Sequence, residues 1–463
     1  MIKFLPLMLA IFLSLSNFQS NEYRDLEKIN FSELGEIKNP RNHLTQDSKN
    51  RREVTAQVMS VSEASSKNVT INRTEERNSK TNSATSDEEK ILRLTWKIVP
   101  YAVKYAVSAE GNVFISYTNG IEIPVKNVSS EIKIAALDFD NQIVDDDVLI
   151  FTAEENPPAP VTTTEFDKMK TPPVYIVYSW IPTINADHYE IQLFKDNELY
   201  RDYVTDFHPL EDNFDFYDEK PVLETGEYFW RIRGIAESGA VITEWSEKKS
   251  GSTFKVEKPA RFCALGDSIT HGGGSISVPP STAIYNWQSY CDFPIKNLGK
   301  SGDTTAAMLR RFERDIVPFG PEVLFVLAGV NDYRSDVLGW DSVRNLEDIR
   351  DKCERYGIKP VFITPTPLNP KLIDKVQFVE HPPYDWQEQR KYICDWIRSQ
   401  DDFIDIENAL SDSRGFLRAD LTVDGLHPDA EGKEIIGTAV ENWLDNYLNK
   451  DKGLTPENYK RRE

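Results

Sequence analysis

Apolar and polar positions follow three different rhythms along this chain of 463 residues. Between Asn21 and Asp87 no apolar period appears, and Asn, Ser, Lys, Glu and Thr dominate. A stretch of this kind cannot bury enough surface to offset the entropy of ordering. Residues 17–87 are therefore expected to be a disordered polar spacer. From Ile91 the pattern alternates in short runs separated by turns: Leu92–Trp96, Val103–Val107 and Ile132–Ala135. Period two puts one face of each run on a core, which predicts a β-sandwich over 88–156. Asn156-Pro157-Pro158-Ala159-Pro160 then reads as a stiff linker. A second β-sandwich is expected over 160–257. There, Ser179-Trp180 with Ala186 and Tyr189 repeats the spacing of Thr95-Trp96 with Ala102 and Tyr105. These Trp and Tyr residues are expected in the cores; carbohydrate binding is their alternative role.

From Ala260 short apolar runs alternate with amphipathic helical stretches. The strand candidates are 262–265, 295–298, 323–328, 361–364 and 403–406. The helix candidates are 304–317, 342–356, 384–399 and 428–448. In the last, Ile435, Ala439 and Trp443 recur at i, i+4, i+8 beside Ile436, Val440 and Leu444, forming one apolar face. Alternating strand and helix units predict a parallel sheet with helices on both faces over 260–450. Residues 451–463 are left as a C-terminal tail.

Composition changes this picture in three places. The net charge of -21 and pI of about 4.9 repel phosphate backbones and anionic headgroups. They argue against nucleic acid or peripheral membrane partners. At the N-terminus, Lys3 followed by the apolar run Phe4–Leu15 reads as a signal peptide over 1–16, and so predicts a secreted or periplasmic protein. The run is short for a bilayer span, and no later segment is long and apolar enough; an uncleaved anchor is the alternative. Asn68-Val69-Thr70 and Asn72-Arg73-Thr74 match the N-glycosylation pattern, which matters only in a eukaryotic secretory route. The four cysteines, Cys263, Cys291, Cys353 and Cys394, do not stand at metal spacing. They are expected to be mostly buried thiols, with room for one disulfide. No metal cluster, phosphate-binding loop or dinucleotide fingerprint is present, so neither a metal nor a cofactor is expected.

Four stretches carry candidate chemistry: Gly266-Asp267-Ser268, Asn297-Leu298-Gly299-Lys300-Ser301-Gly302-Asp303-Thr304, Gly329-Val330-Asn331-Asp332 and Asp424-Gly425-Leu426-His427-Pro428. Each follows a predicted strand or adjoins a predicted helix. A serine at the end of a buried strand is held at the rim of a sheet, where α/β folds place their chemistry. Ser268 needs a base to act as a nucleophile at neutral pH, and an imidazole suits that task. In Asp424-x-x-His427 one turn can present both side chains on the same side. Asp424 could then accept the proton of one ring nitrogen and leave the other for Ser268. His271 is the rival base, close in sequence but without a carboxylate. Gly302 and Asn331 are candidate oxyanion donors together with the N–H of Ser268. Asp267 and Asp332 are bracing candidates. Tyr333, Arg334, Trp340, His381 and Trp386 lie in segments able to line a cleft.

In this order, the four stretches resemble the blocks of the SGNH (GDSL) hydrolase family, over roughly Arg261 to Leu448. The second sandwich, with Gly226–Gly234 and Glu244-Trp245-Ser246, resembles the late strands of fibronectin type III domains. Tyr228 stands where their tyrosine corner falls; the first sandwich is a shorter match. The resemblance implies two fibronectin type III-like modules followed by a flavodoxin-like α/β hydrolase domain. It also implies an exported serine esterase using Ser268, His427 and Asp424, with Ser268, Gly302 and Asn331 as the oxyanion hole. The expected partner is an ester substrate, an O-acetyl or other small acyl ester on extracellular carbohydrate. The alternatives are a lipase or lysophospholipase of the same family, and a non-catalytic glycan-binding or adhesive protein. Oligomeric state is not encoded in any of these patterns.

Overall fold

The computed structural model describes residues 89–450, apart from 147, 206–213, 276–277 and 377–379. The expected signal peptide, polar spacer, glycosylation sequons and C-terminal tail lie outside the described residues. Three units follow one another in the chain.

In the first unit, β1 (Lys90–Trp96), β4 (Gly120–Val125) and β7 (Ile150–Glu155) form an antiparallel sheet in the order β4-β1-β7. Strands β2 (Lys104–Ala109), β3 (Asn112–Ser116), β5 (Ile132–Leu137) and β6 (Ile143–Asp145) form a second, β3-β2-β5-β6. Alternate residues of both sheets, among them Leu92, Leu94, Trp96, Tyr105, Val107, Ile123 and Ile134, meet in one core. The second unit repeats this plan. Its sheets are β11-β10-β13-β14 and β12-β9-β8, built from β8 (Val161–Thr162), β9 (Val177–Ile181), β10 (His188–Lys195), β11 (Glu198–Val204), β12 (Asp215–Tyr217), β13 (Gly226–Ile235) and β14 (Thr253–Val256).

The repeated Trp/Tyr spacing has a matching geometry. Trp96 packs edge-on against Tyr105 at 5.1 Å, and Trp180 packs at a tilt against Tyr189 at 5.0 Å. Each tyrosine hydroxyl accepts a backbone N–H six residues upstream, from Val99 and Thr183 respectively. Tyr228 donates to the carbonyl of Glu224, four residues back. Glu244–Ser246, expected as a late strand, is irregular instead. Trp245 packs against two guanidiniums of β13, 4.4 Å from Arg231 and 4.5 Å from Arg233, and Ser246 N–H donates to the Ile232 carbonyl at 2.8 Å. The proline linker is tied down, with Ala159 accepting from Arg93 and Pro158 from Glu244.

The third unit is a five-stranded, wholly parallel sheet in the order β16-β15-β17-β18-β19. Its strands are β15 (Phe262–Gly266), β16 (Ile295–Gly299), β17 (Val323–Leu327), β18 (Lys359–Ile363) and β19 (Phe403–Ile404). β15, β16 and β17 are buried at every position, as helices on both faces require. The helices are α1 (Ser268–His271), α2 (Thr305–Asp315), α3 (Val330–Tyr333), α4 (Gly339–Tyr356), α5 (Pro370–Ile373), α6 (Trp386–Arg398), α7 (Glu407–Leu410) and α8 (Ala430–Lys450). The chain leaves β15 toward β16 on one side and returns to β17 on the other. The loops after these strands therefore diverge, which opens a crevice at their C-terminal ends.

The second and third units share one continuous core, running from Phe166 and Trp180 through Phe262 and Phe325 to Leu444. Segment 170–176 lies along the free edge of β16. Val174 N–H donates to the Asn297 carbonyl at 3.0 Å, and the Lys296 ammonium donates to Pro172. Tyr175 OH donates to Asp315 at 2.6 Å. All four cysteines are buried free thiols, and no disulfide forms. No described helix is long and apolar enough to cross a membrane.

Candidate active site

Gly266 ends β15 where a side chain cannot fit: a Cβ there would fall 2.2 Å from Thr270 Oγ1 and 2.6 Å from the Leu327 carbonyl. The chain turns at once into α1. Asp267 caps that helix, its carboxylate accepting the Ile269 N–H at 2.9 Å. Ser268 is its first residue, partly exposed at the crevice.

Ser268 Oγ lies 3.0 Å from His427 Nε2, and His427 Nδ1 lies 2.7 Å from Asp424 Oδ2. A carboxylate only accepts, so Nδ1 carries the ring hydrogen and Nε2 is the acceptor for the hydroxyl. Asp424 is buried, and its other oxygen accepts the N–H groups of Leu426 and His427, each at 2.8 Å. Thr422 closes the turn, donating to the His427 carbonyl at 2.8 Å and accepting from Gly425 N–H. Burial alone would raise the Asp424 carboxyl. The neighbouring imidazole and these hydrogen bonds outweigh it and hold Asp424 below the usual carboxylate range.

The candidate donors come together from two other loops. Gly302 has φ +81°, in the left-handed region, and a Cβ added there would meet nothing within 4 Å. Its N–H and that of Ser268 donate to no acceptor among the described residues. Asn331, on α3, donates one amide hydrogen to the Asp303 carbonyl at 2.9 Å and accepts from Arg334 Nε at 3.3 Å. Turning the amide over would oppose donor to donor and acceptor to acceptor, so these two partners fix it. The second amide hydrogen remains for a ligand. Asp332 takes no part in that bonding; it accepts from Thr305 N–H and Oγ and from Ser342 Oγ, joining α2, α3 and α4.

His271 does not reach Ser268. Its Nε2 donates to the Tyr175 carbonyl at 2.6 Å, and its Nδ1 accepts from Ser301. Burial pushes its pKa down to about 4. Of the residues expected to line the cleft, Tyr333 and Trp386 belong to the core instead. Tyr333 OH donates to Thr366, and the two rings lie 6.1 Å apart. Trp340 and His381 are exposed, the latter paired with Asp374. The glycines after α1 are closely packed, since a Cβ at Gly272 would fall 2.2 Å from Asn286 Oδ1.

Sequence reasoning passed over Lys433. It is fully buried on α8, with Nζ 2.7 Å from the Ile269 carbonyl, the open end of the one-turn helix that begins at Ser268. Burial pushes Lys433 down to about 7 and Asp267 up to about 7. The available signal was a lysine three residues before Ile436, on the apolar stripe of the helix. Among the described residues no cluster of metal-ligating side chains occurs.

Residues 264–435 match the family model of the GDSL-like Lipase/Acylhydrolase family. Solved structures with a similar arrangement include a GDSL-like lipase from Bacteroides thetaiotaomicron, at 18% identity and TM-score 0.34, covering 42% of this chain and 91% of that one. A lipase/acylhydrolase from Enterococcus faecalis shares 22% identity, with TM-score 0.33 and coverage of 40% and 96%. A catalytic mutant of an acetylxylan esterase from Geobacillus stearothermophilus shares 17% identity, with TM-score 0.31 and coverage of 41% and 95%. No curated protein matches the chain.

Proposed function

We propose, from the premise that residues 264–435 are a GDSL-like acylhydrolase domain, that this chain is an exported serine esterase acting on small acyl esters of extracellular carbohydrate. The observation that carries the reaction is the hydrogen-bonded chain from Ser268 through His427 to Asp424. Ser268 Oγ attacks the ester carbonyl carbon while His427 Nε2 takes its proton. Asp424 holds the ring in the tautomer that can accept it and stabilises the imidazolium that forms. The N–H groups of Ser268 and Gly302 and the free amide hydrogen of Asn331 receive the oxyanion. His427 then protonates the departing alcohol oxygen. Water, activated by the same imidazole, releases the acid from the acyl-enzyme and restores Ser268.

The two preceding units are read as fibronectin type III-like modules. The paired sheets, the repeated Trp/Tyr contacts and the Tyr228 bond to Glu224 support that reading. Export rests on the apolar run Phe4–Leu15, and the carbohydrate substrate on the combination of export with those modules. Hydrolysis of p-nitrophenyl acetate by the wild type and by Ser268→Ala tests the reaction. A loss of about four orders of magnitude or more is expected, with loss of fluorophosphonate labelling. Equal rates would remove Ser268 from the mechanism. Acetylated glycans compared with esters of rising acyl length test the substrate; a preference for long chains would favour a lipase.

A further inference from the structure

Arg334 is the C-cap residue of α3, directly after the Gly329–Asp332 stretch. Its guanidinium carries five N–H donors in a planar fork, and only Nε has a partner, Asn331 Oδ1 at 3.3 Å. No carboxylate lies within 4.0 Å of it among the described residues. In this acidic chain, with 75 acidic and 54 basic side chains, the buried or half-buried arginines Arg93, Arg201, Arg311, Arg390 and Arg398 are all paired. The side chain is partly buried, yet its two terminal nitrogens are not among the buried polar atoms lacking partners, so they keep contact with solvent.

The acidic groups that act on this guanidinium are Asp424, Asp267 and Glu380. None lies within 4.0 Å of it in the fold. Asp424 is bonded to His427, Leu426 and Thr422, and Asp267 caps α1. Glu380 is exposed and makes no ion pair among the described residues. A desolvated fork with two open nitrogens, one bond away from a candidate oxyanion donor, matches a planar carboxylate.

We propose that Arg334 reads a carboxylate on the substrate, close to the scissile ester, so that the preferred substrates are esters of acidic molecules. This deepens the esterase reading and rests on it. An O-acetylated acidic sugar carries the charge on the alcohol side, whereas a dicarboxylic half-ester carries it on the acyl side. The shared chemistry is the carboxylate, and the substrates below separate its two sources. The acidic surface opposes long-range approach of such a substrate, so the test belongs at about 0.15 M salt or above, where the screening length is about 8 Å.

The full-length protein is assayed with p-nitrophenyl acetate, p-nitrophenyl hemisuccinate, and 4-acetoxybenzoate beside its neutral amide, 4-acetoxybenzamide. The wild type is expected to favour at least one carboxylate ester over its neutral counterpart by about ten-fold in kcat/KM, mainly through KM. Arg334→Leu should erase that preference, and Arg334→Lys should restore part of it. Preference for hemisuccinate assigns the charge to the acyl side, and for 4-acetoxybenzoate to the alcohol side. If Arg334→Leu lowers all four rates by the same factor, Arg334 serves only to hold Asn331 and the proposal fails. Should that variant not fold, the wild type decides alone, because a lack of preference both for hemisuccinate over acetate and for the acid over its amide also overturns it. Hydrolysis of the neutral esters without any preference sinks the role of Arg334 and leaves the esterase standing. Inertness toward all four, with no fluorophosphonate labelling, sinks both.

Discussion

At the scale of single residues the site is a problem of orientation. Against its burial, which would raise it, His427 and two backbone N–H groups hold the Asp424 carboxyl below the usual carboxylate range. Asp424→Asn keeps the shape of the turn but permits the wrong imidazole tautomer. The expected cost is about 10⁴ in kcat with little change in KM; steady-state kinetics showing less than about a ten-fold loss would reject the assignment. On the proposed mechanism Asn331→Ala removes one oxyanion donor and should cost about 10²–10³ in kcat, read in the same assay. Ser268, Asp424 and His427 were legible in the sequence because their context is local: a glycine that ends a strand, and a three-residue turn. The fate of His271 was not legible, since its Nε2 partner is Tyr175, 96 positions away in another unit. Nor could spacing foretell that Tyr333 and Trp386 pack together in the core, because an aromatic beside a motif reads the same whether it faces in or out.

At the scale of elements, α1 is a single turn, far too short to persist by its own propensity. It is held by Asp267 at its start, Lys433 at Ile269 and His271 at its last residue. His271 is neutral in the fold, with its pKa pushed down to about 4, first by burial and further by the charges of Arg311, Lys433 and Lys300. In the unfolded chain it protonates near the ordinary value of about 6.5. Between these values the unfolded chain binds the extra proton, so stability rises with pH. The contribution is complete above about pH 6.5 and is lost as pH falls toward 4, with a ceiling of about 3 kcal/mol. Other buried groups titrate here as well, so the difference between wild type and His271→Gln isolates the imidazole. Thermal unfolding of the wild type should fall more steeply than that of the variant between pH 7 and 5. Parallel curves would show that His271 does not carry the effect. In the third unit the five strands and the four long helices were legible, to within a few residues, from apolar period, whereas in the first two units only some of the strands were. The exceptions follow from what period cannot record. Residues 403–406 shorten to β19 as the chain turns into α7 at Glu407, and Trp245 packs on Arg231 and Arg233 outside any regular strand.

At the scale of the whole molecule, composition marks breaks near 156–160 and 257–260, as though three independent units were strung together. Only the first break separates cores. Leu92 to Ala136 form a cluster of their own, while the second unit shares one continuous cluster with the parallel sheet. The contacts responsible, such as Val174 with Asn297 and Tyr175 with Asp315, join residues more than 120 positions apart, beyond any local pattern. A chain beginning at residue 259 would leave the edge of β16 unpaired and Asp315 buried without Tyr175, and bare apolar edges recruit other chains. It is expected to aggregate. A chain beginning at 157 keeps that core whole. It loses mainly polar contacts: Arg93 to Ala159, Glu122 to Ile184, Tyr101 to Asp420 and Asp140 to Lys375. It should remain folded and hydrolyse a small neutral ester within a few-fold of the full chain. Size-exclusion chromatography with p-nitrophenyl acetate turnover separates the outcomes. A monomeric, fully active 259–463 fragment would mean that the second unit is a spacer and not the missing edge of the catalytic sheet.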